Sequence, residues 1–263
     1  MWRDDSGLHR AVVDAGIKEA IAALVDGDLP GMVASVISGP SAGAKAVLDG
    51  GGAILAGNLP EELAAPVGAD SKVLMRVERS VTLGYGADEV FFESIAPRPH
   101  LFVFGAVHIA QELVTHASLL GYRTVVADPR PAFVTAERFP DADELRIGWP
   151  DDVCDADELD ARSFLVVLSH DRRFEDPLWP IALGSSARYI GAMGSAKTTA
   201  RRRERLLGDG FSPAQIERIH GPIGLDIGSR TAGETAIAIL AEMTSVRYAS
   251  SEAPDLMGSP LRP

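Results

Sequence analysis

Residues 100–130 read HLFVFGAVHIAQELVTHASLLGYRTVVADPR, and the spacing of the apolar residues changes within the stretch. A continuous apolar run at 101–104 is followed by the small residues Gly105 and Ala106, and then by Ile109, Leu113, Leu119 and Leu120 at helical spacing. Strand, turn and helix is the parse that satisfies both periods. After Gly121 a second apolar run, 125–127, ends on Asp128. The stretch is therefore a βαβ unit with a ligand edge at the carboxyl ends of its strands.

In such a unit, backbone N–H groups at the helix start can face a phosphate, and an acid closing the second strand can accept from a ribose hydroxyl. Gly105 and Asp128 fit these roles. The dinucleotide pattern GxGxxG is incomplete, because Val107 stands at the second glycine, where a pyrophosphate must approach; Ala110 at the third is tolerated. His108 is either aimed at the same crevice or is an ordinary helix-start residue satisfied by backbone.

A formal charge of −12 argues against nucleic acid or an anionic membrane as a partner, so any anion site has to be built locally. With one cysteine, Cys154, no disulfide can form within the chain, and a reducing, cytoplasmic setting is expected. No signal peptide and no bilayer-spanning run is read.

Residues 8–26 carry apolar residues along one face and predict an amphipathic helix closed by Gly27 and Pro30. Extended runs follow at 32–37, 44–48, 53–55, 73–77 and 90–95, predicting a small mixed sheet. Asp49 and the triple glycine 50–52 predict a hairpin turn. The Pro97 and Pro99 pair marks a stiff connector, so the expected domains are 1–96 and 97–263, with a mobile tail after 248.

Beyond Asp128 the elements keep alternating: a short helix or turn at 132–140, a strand at 145–147 and a strong buried strand at 163–168. Ser169, His170 and Asp171 close that strand. They belong either to the ligand crevice or to a polar loop capping the helix expected near 177–183; as sequence neighbours they are not a catalytic triad. A third strand at 188–190 leads into the small-residue turn Gly191, Ala192, Met193, Gly194, Ser195, and a helix from about Ala196. Glycines, the Ser195 and Thr198 hydroxyls and a helix start make a phosphate cradle. Lys197, Arg201 and Arg205 share a face by i,i+4 spacing, and Arg202 and Arg203 look elsewhere, toward partners such as Glu204 or Glu217. Basic residues in a first turn oppose the helix dipole, which calls for a counter-anion. Finally, 220–234 reads HGPIGLDIGSRTAGE. Thr231 and Glu234 form a capping box ahead of the last helix, and three glycines surround Asp226, read as a buried acid that is either a ligand acceptor or an anchor for backbone donors.

These segments resemble the XdhC/CoxI family, the xanthine dehydrogenase accessory proteins. The resemblance rests on FGAVHIA, VVADPRPAFVTAERFPDADEL, the SHD of 169–171, YIGAMGSAKTTARRRERL and RIHGPIGLDIGSRTAGETAIAILAE, across about 97–247. It implies an α/β protein whose Rossmann-like C-terminal domain, built on a parallel sheet, follows a smaller mixed α+β N-terminal domain. It also implies a non-catalytic chaperone, without catalytic residues or a protein-ligated metal, for a molybdenum hydroxylase of the xanthine or CO dehydrogenase type. Such a chaperone binds molybdenum cofactor, as molybdopterin or its cytosine dinucleotide. It presents the cofactor to a cysteine desulfurase for sulfuration and inserts it into the apoenzyme. Apart from the resemblance, a homodimer is compatible with the sequence, since interface area would help hold two modest domains together. The cofactor-binding residues implied are Gly105, His108, Asp128, Arg130, Ser169, His170, Asp171, Gly191, Gly194, Ser195, Thr198, Arg201 and Asp226.

The chain departs from the family twice. The family turn GxGHxA has Val107 here in place of its second glycine. The SGGCxE segment of the N-terminal domain is replaced around 50–62 by GGGAILAGNLPEE, without cysteine. Cys154 is no substitute, since Asp151, Asp152, Asp155 and Asp157 flank it and raise its pKa. Two other readings stay open: an oxidoreductase using NADP, which Arg130 favours, or NAD; and a scaffold that only bridges a desulfurase and a hydroxylase.

Overall fold

The computed structural model describes residues 6–169, 171–249 and 256–260. The chain divides into one unit of 1–97 with 250–263, and a second unit of 98–249. The first holds α1 (Ser6–Asp26), β1 (Gly31–Ser38), β2 (Lys45–Asp49), β3 (Ile54–Asn58), α2 (Glu61–Arg76), β4 (Val81–Tyr85) and β5 (Asp88–Ile95). Strands β4-β5-β1-β2-β3 are neighbours in that order, every pair antiparallel, so the sheet is not mixed as the extended runs suggested.

Alternation along β1 explains the layers of this unit. Met32, Ala34 and Val36 pack with Leu63, Val67 and Leu74 of α2, while Val33 turns to Ile17 and Leu24 of α1. The run 73–77, expected as a strand, is the end of α2. Its apolar residues continue the series Leu63, Val67, Leu74, and Glu61 and Glu62 favour the helix start. The hairpin at 49–52 forms between β2 and β3, with Asp49 accepting from the Gly51 and Ala53 N–H groups at 2.9 Å each.

The second unit runs β6 (His100–Phe104), α3 (His108–Leu119), β7 (Arg123–Asp128), a 3-10 turn (Pro131–Phe133), β8 (Glu144–Ile147), α4 (Pro150–Val153), a 3-10 turn (Ala156–Glu158), β9 (Ser163–Val167) and α5 (Arg172–Gly184). It ends with β10 (Tyr189–Ala192), α6 (Ala196–Gly208), α7 (Pro213–Glu217), β11 (Ile219–His220) and α8 (Ala232–Tyr248). The sheet order is β11-β10-β9-β6-β7-β8, all parallel. The chain builds outward from β6 to β8 and then returns to lay β9 on the other side of β6. The order therefore reverses between β6 and β9, where open α/β sheets form their crevice.

Both faces of this sheet are covered, which is why its strands read as unbroken apolar runs. Leu101 and Val103 lie with Leu113, Val114, Ile239 and Met243 of α3 and α8. Phe102 and Phe104 lie with Leu178, Trp179, Leu206 and Ile216 on the opposite face. Each such buried side chain contributes about 1.5–3 kcal/mol.

The segment after 248 was expected to be a mobile part of the second domain. Its described residues instead carry β12 (Ser259–Pro260), which adds an antiparallel edge to β4 of the first unit. The physical cause is Asp70 of α2, 1% exposed, whose carboxylate accepts from Met257 N at 2.7 Å and Gly258 N at 2.8 Å as well as from the Tyr85 hydroxyl. A buried carboxylate needs such donors, and backbone from a distant segment provides them. Among the described residues no helix is long and apolar enough to cross a membrane.

Candidate functional site

The β6–α3 turn is tight because Gly105 has φ +109°, and a Cβ there would come within 3.2 Å of Ser169 N. Val107 is the helix N-cap and gives α3 no side-chain cap. Asp128, at the end of β7, is 1% exposed and reaches back under this turn. It accepts from Ala106 N at 2.9 Å, from Arg130 N at 3.0 Å, and from Arg130 Nε and Nη2 at 2.8 and 2.7 Å. Burial works to raise its pKa, but the Arg130 guanidinium and the two N–H groups outweigh it and hold the carboxyl below its ordinary value. With four donors placed, the carboxylate locks the turn to the end of β7, and a ribose hydroxyl would have to displace Arg130. His108 is exposed, with Nδ1 3.3 Å from Gln111 Oε1.

The loop after β9 turns out to be a helix start. Ser169 Oγ accepts from Asp171 N at 3.1 Å, and Asp171 caps α5 by accepting from Arg173 N at 3.0 Å. Arg173 Nε and Nη2 complete a two-point pair with Asp171 at 3.2 and 2.7 Å. That pair, led by the side-chain bond, lowers the Asp171 pKa. His170 lies outside the described residues.

Between the ends of β7, β8 and β9 opens a cleft of about 350 Å³. It brings together Asp128, Arg130, Ser169 and Asp171 of the expected residues, and adds Trp149, Arg173 and Phe174. Trp149 lies two residues past the end of β8 and stands 6.3 Å, ring to ring, from the buried Phe174. A large aromatic just past a strand's carboxyl end, ahead of Pro150, was the available signal for Trp149.

The 191–201 region divides into two parts. Gly191 is not in a turn: it is a buried residue of β10, where a Cβ would meet the Tyr189 ring and Ile223 Cδ1 at 2.5–2.6 Å. Gly194 has φ +148°, and Ser195 caps α6, its Oγ 3.2 Å from Thr198 N and 3.0 Å from Thr198 Oγ1. The two hydroxyls thus serve each other. Lys197 and Arg201 are exposed, and among the described residues neither has an ion-pair partner.

Arg202 is the opposite case, 2% exposed. It binds Glu175 of α5 through Nε and Nη2 at 3.1 and 2.9 Å and the Met193 carbonyl at 2.9 Å. Arg205 joins Glu175 and Asp176. The partners are therefore on α5, not Glu204 or Glu217; a helix packed alongside offers buried acids that the sequence neighbourhood of α6 does not.

Asp226 is exposed rather than buried, and among the described residues it accepts no hydrogen bond. The anchoring acid of its loop is Glu242 of α8, which accepts from Gly224 N at 2.8 Å and from the Tyr189 hydroxyl, with His220 Nδ1 at 3.4 Å. Burial works against the Glu242 charge, yet these partners, His220 first, keep its pKa below the ordinary value. Burial and Glu242 together push the Tyr189 phenol far upward, so it stays a donor. Cys154 is buried and its thiol is pushed up to about 12, by burial first and then by Glu158 and Asp155; Asp151, Asp152 and Asp157 are not among the causes.

Residues 101–243 match the family model of the XdhC Rossmann domain. A Bacillus subtilis protein described as a probable xanthine dehydrogenase subunit is 30% identical over 158 residues, 60% of this chain and 46% of that protein. The molybdenum cofactor insertion chaperone PaoD of Escherichia coli is 27% identical over 156 residues, 59% of this chain and 42% of PaoD. The chain thus spans less than half the length of these curated relatives. A crystal structure described as a xanthine dehydrogenase from Bacillus halodurans superposes with a TM-score of 0.50 at 20% identity, over 87% of this chain and 93% of that one, a likeness of fold. Since the family match takes in more than half of the chain, the protein belongs to the family of the XdhC Rossmann domain.

Proposed function

We propose that the protein is an accessory chaperone for a molybdenum hydroxylase: it binds molybdenum cofactor, assists its sulfuration by a cysteine desulfurase and passes it to the apoenzyme. The observation carrying this reading is the start of α6. In a chain of net charge −12, Lys197 and Arg201 stand exposed, without an ion-pair partner among the described residues, in the first two turns of a 13-residue helix that follows the Gly194 turn. Unpaired cations opposing a helix dipole fit a phosphorylated ligand. There Gly194, Lys197 and Arg201 would hold the phosphate of the pterin, with Ser195 and Thr198 shaping the turn. When bound, the cofactor supplies a molybdenum centre for the recipient enzyme's redox chemistry; this chain's residues bind and orient it.

A nicotinamide-dependent reaction is the weaker reading. The Ala106 N–H that would meet a pyrophosphate is spent on Asp128, and a negative charge lies directly beneath the turn. A scaffold that only joins two enzymes leaves Lys197 and Arg201 without a role.

The test is retention of pterin after anaerobic incubation with molybdenum cofactor and desalting. Retention no greater than that of albumin refutes the proposal. Arg201→Ala removes a charge-assisted hydrogen bond and is expected to cost roughly 1.5–3 kcal/mol, about 10- to 150-fold in affinity. Arg203→Ala, about 200° around the helix, is the control; equal losses would mean general attraction rather than a site.

A further inference from the structure

The cleft at the ends of β7, β8 and β9 differs in chemistry from the start of α6. Its charged lining sums to zero, since Arg130 is paired with Asp128 and Arg173 with Asp171. A phosphate placed there would face two carboxylates, both held in the charged form by their arginines. What the cleft does offer is aromatic surface and guanidinium donors. Each guanidinium spends Nε and Nη2 on its carboxylate. Among the described residues, neither Nη1 has an acceptor within the protein. The Arg130 plane is further held by the Phe133 ring, 4.1 Å from its central carbon. Trp149 is 39% exposed although it packs against the buried Phe174, so part of an indole face is available to a ligand. At about 350 Å³ the space is at the low end for small-molecule sites, enough for one ring system and its substituents.

We propose that this cleft recognises a neutral, planar nitrogen heterocycle bearing a carbonyl oxygen or ring nitrogen, stacked on Trp149 and accepting from Arg130 and Arg173. Stacking on indole requires a flat ring, and an acceptor edge meets the free Nη1 donors without bringing charge toward Asp128 and Asp171. The inference deepens the cofactor reading, on which it rests for the natural source of the ring: either the pteridine itself or the cytosine of its dinucleotide form. The phosphate and the heterocycle would then be held at different places along one sheet edge. The ends of β10 and β7 are three strand positions apart, about 14 Å.

The experiment is calorimetric titration of the full chain with pterin, with cytidine and with ribose 5-phosphate. Variants are Trp149→Ala, the stack-preserving Trp149→Phe, and Arg173→Gln at an exposed position that leaves the core untouched. The expected result is binding of pterin or cytidine that Trp149→Ala weakens about 10- to 100-fold, Trp149→Phe weakens far less and Arg173→Gln weakens several-fold. Binding by pterin alone identifies the pteridine as the source, and binding by cytidine alone identifies the nucleotide. The inference is overturned if neither ring binds below millimolar concentration, if Trp149→Ala and Arg173→Gln bind like the wild type, or if Trp149→Ala weakens ribose 5-phosphate, which the start of α6 is expected to hold, as much as it weakens the rings. Cofactor retention separates the two readings. A Trp149→Ala protein that holds cofactor like the wild type sinks the cleft and leaves the chaperone standing; ring binding without cofactor retention does the reverse.

Discussion

Replacing Arg202 by alanine is expected to destabilise the second unit by about 3 kcal/mol, the low end of the roughly 3–5 kcal/mol that follows when one partner of a buried ion pair is removed. The Arg202 and Glu175 side chains are 2% and 4% exposed, so the surviving carboxylate cannot recover its hydration. Arg205 Nη2, 3.5 Å away and shared with Asp176, offsets part of the loss, which is why the low end applies. The Met193 carbonyl also loses a donor, loosening the turn that leads into α6. Because the intact pair is itself balanced by desolvation, a Glu175→Leu/Arg202→Met double variant should lie within about 1 kcal/mol of the wild type. Thermal unfolding measures both: at about 2–4 °C per kcal/mol for a unit of this size, Arg202→Ala should melt roughly 6–12 °C lower. A loss under about 1 kcal/mol, or a double variant no more stable than the single one, would refute the argument that an uncompensated buried charge sets the cost.

Asp128→Asn should cost roughly 2 kcal/mol near neutral pH, since it trades charge-assisted bonds to Arg130 and Ala106 for weaker ones. The folded carboxyl titrates below 3.8 and the unfolded one near it, so this stability is fully present above about pH 4 and is lost as the pH falls through the folded value; denaturant midpoints should show the gap between variant and wild type closing there, and a gap unchanged down to pH 2 would count against the assignment. Cys154, with its thiol at about 12, should react with a disulfide reagent at pH 8 about a thousandfold more slowly in the native than in the unfolded chain; comparable rates would mean the thiol is neither buried nor raised.

The parallel sheet was legible because strands buried on both faces read as apolar runs, and 101–104, 125–127 and 163–168 are such runs. The first unit was harder. Its strands are buried on alternating faces and bounded by polar turns, so β4, with Val81 and Leu83 separated by Thr82 and followed by Gly84, shows little apolar signal. The end of α2 is ambiguous for the complementary reason: five consecutive residues, Val73 to Val77, look extended unless Leu63 and Val67 are counted with them. The place of the C-terminal segment has no local signal because it depends on Asp70, a contact 187 residues away in the chain.

Legibility at the site follows the same division between local and distant causes. A capping box has a fixed spacing, so the contact of Thr231 with Glu234 is announced by the pattern itself. Asp128 has one partner two positions away, Arg130, and another 22 positions back, Ala106 N; only the whole set shows that its charge is spent on the turn. The residue type at the end of β7 was therefore readable, while its occupation was not. The same holds for the arginines of α6. Helical spacing put Lys197, Arg201 and Arg205 on one face, but which of them stay unpaired depends on Glu175 and Asp176, supplied by another helix. Among the described residues Arg201 has no ion-pair partner, while Arg202 and Arg205 have theirs on α5. That difference in partners, more than the number of arginines, is what makes the start of α6 a candidate for an outside anion.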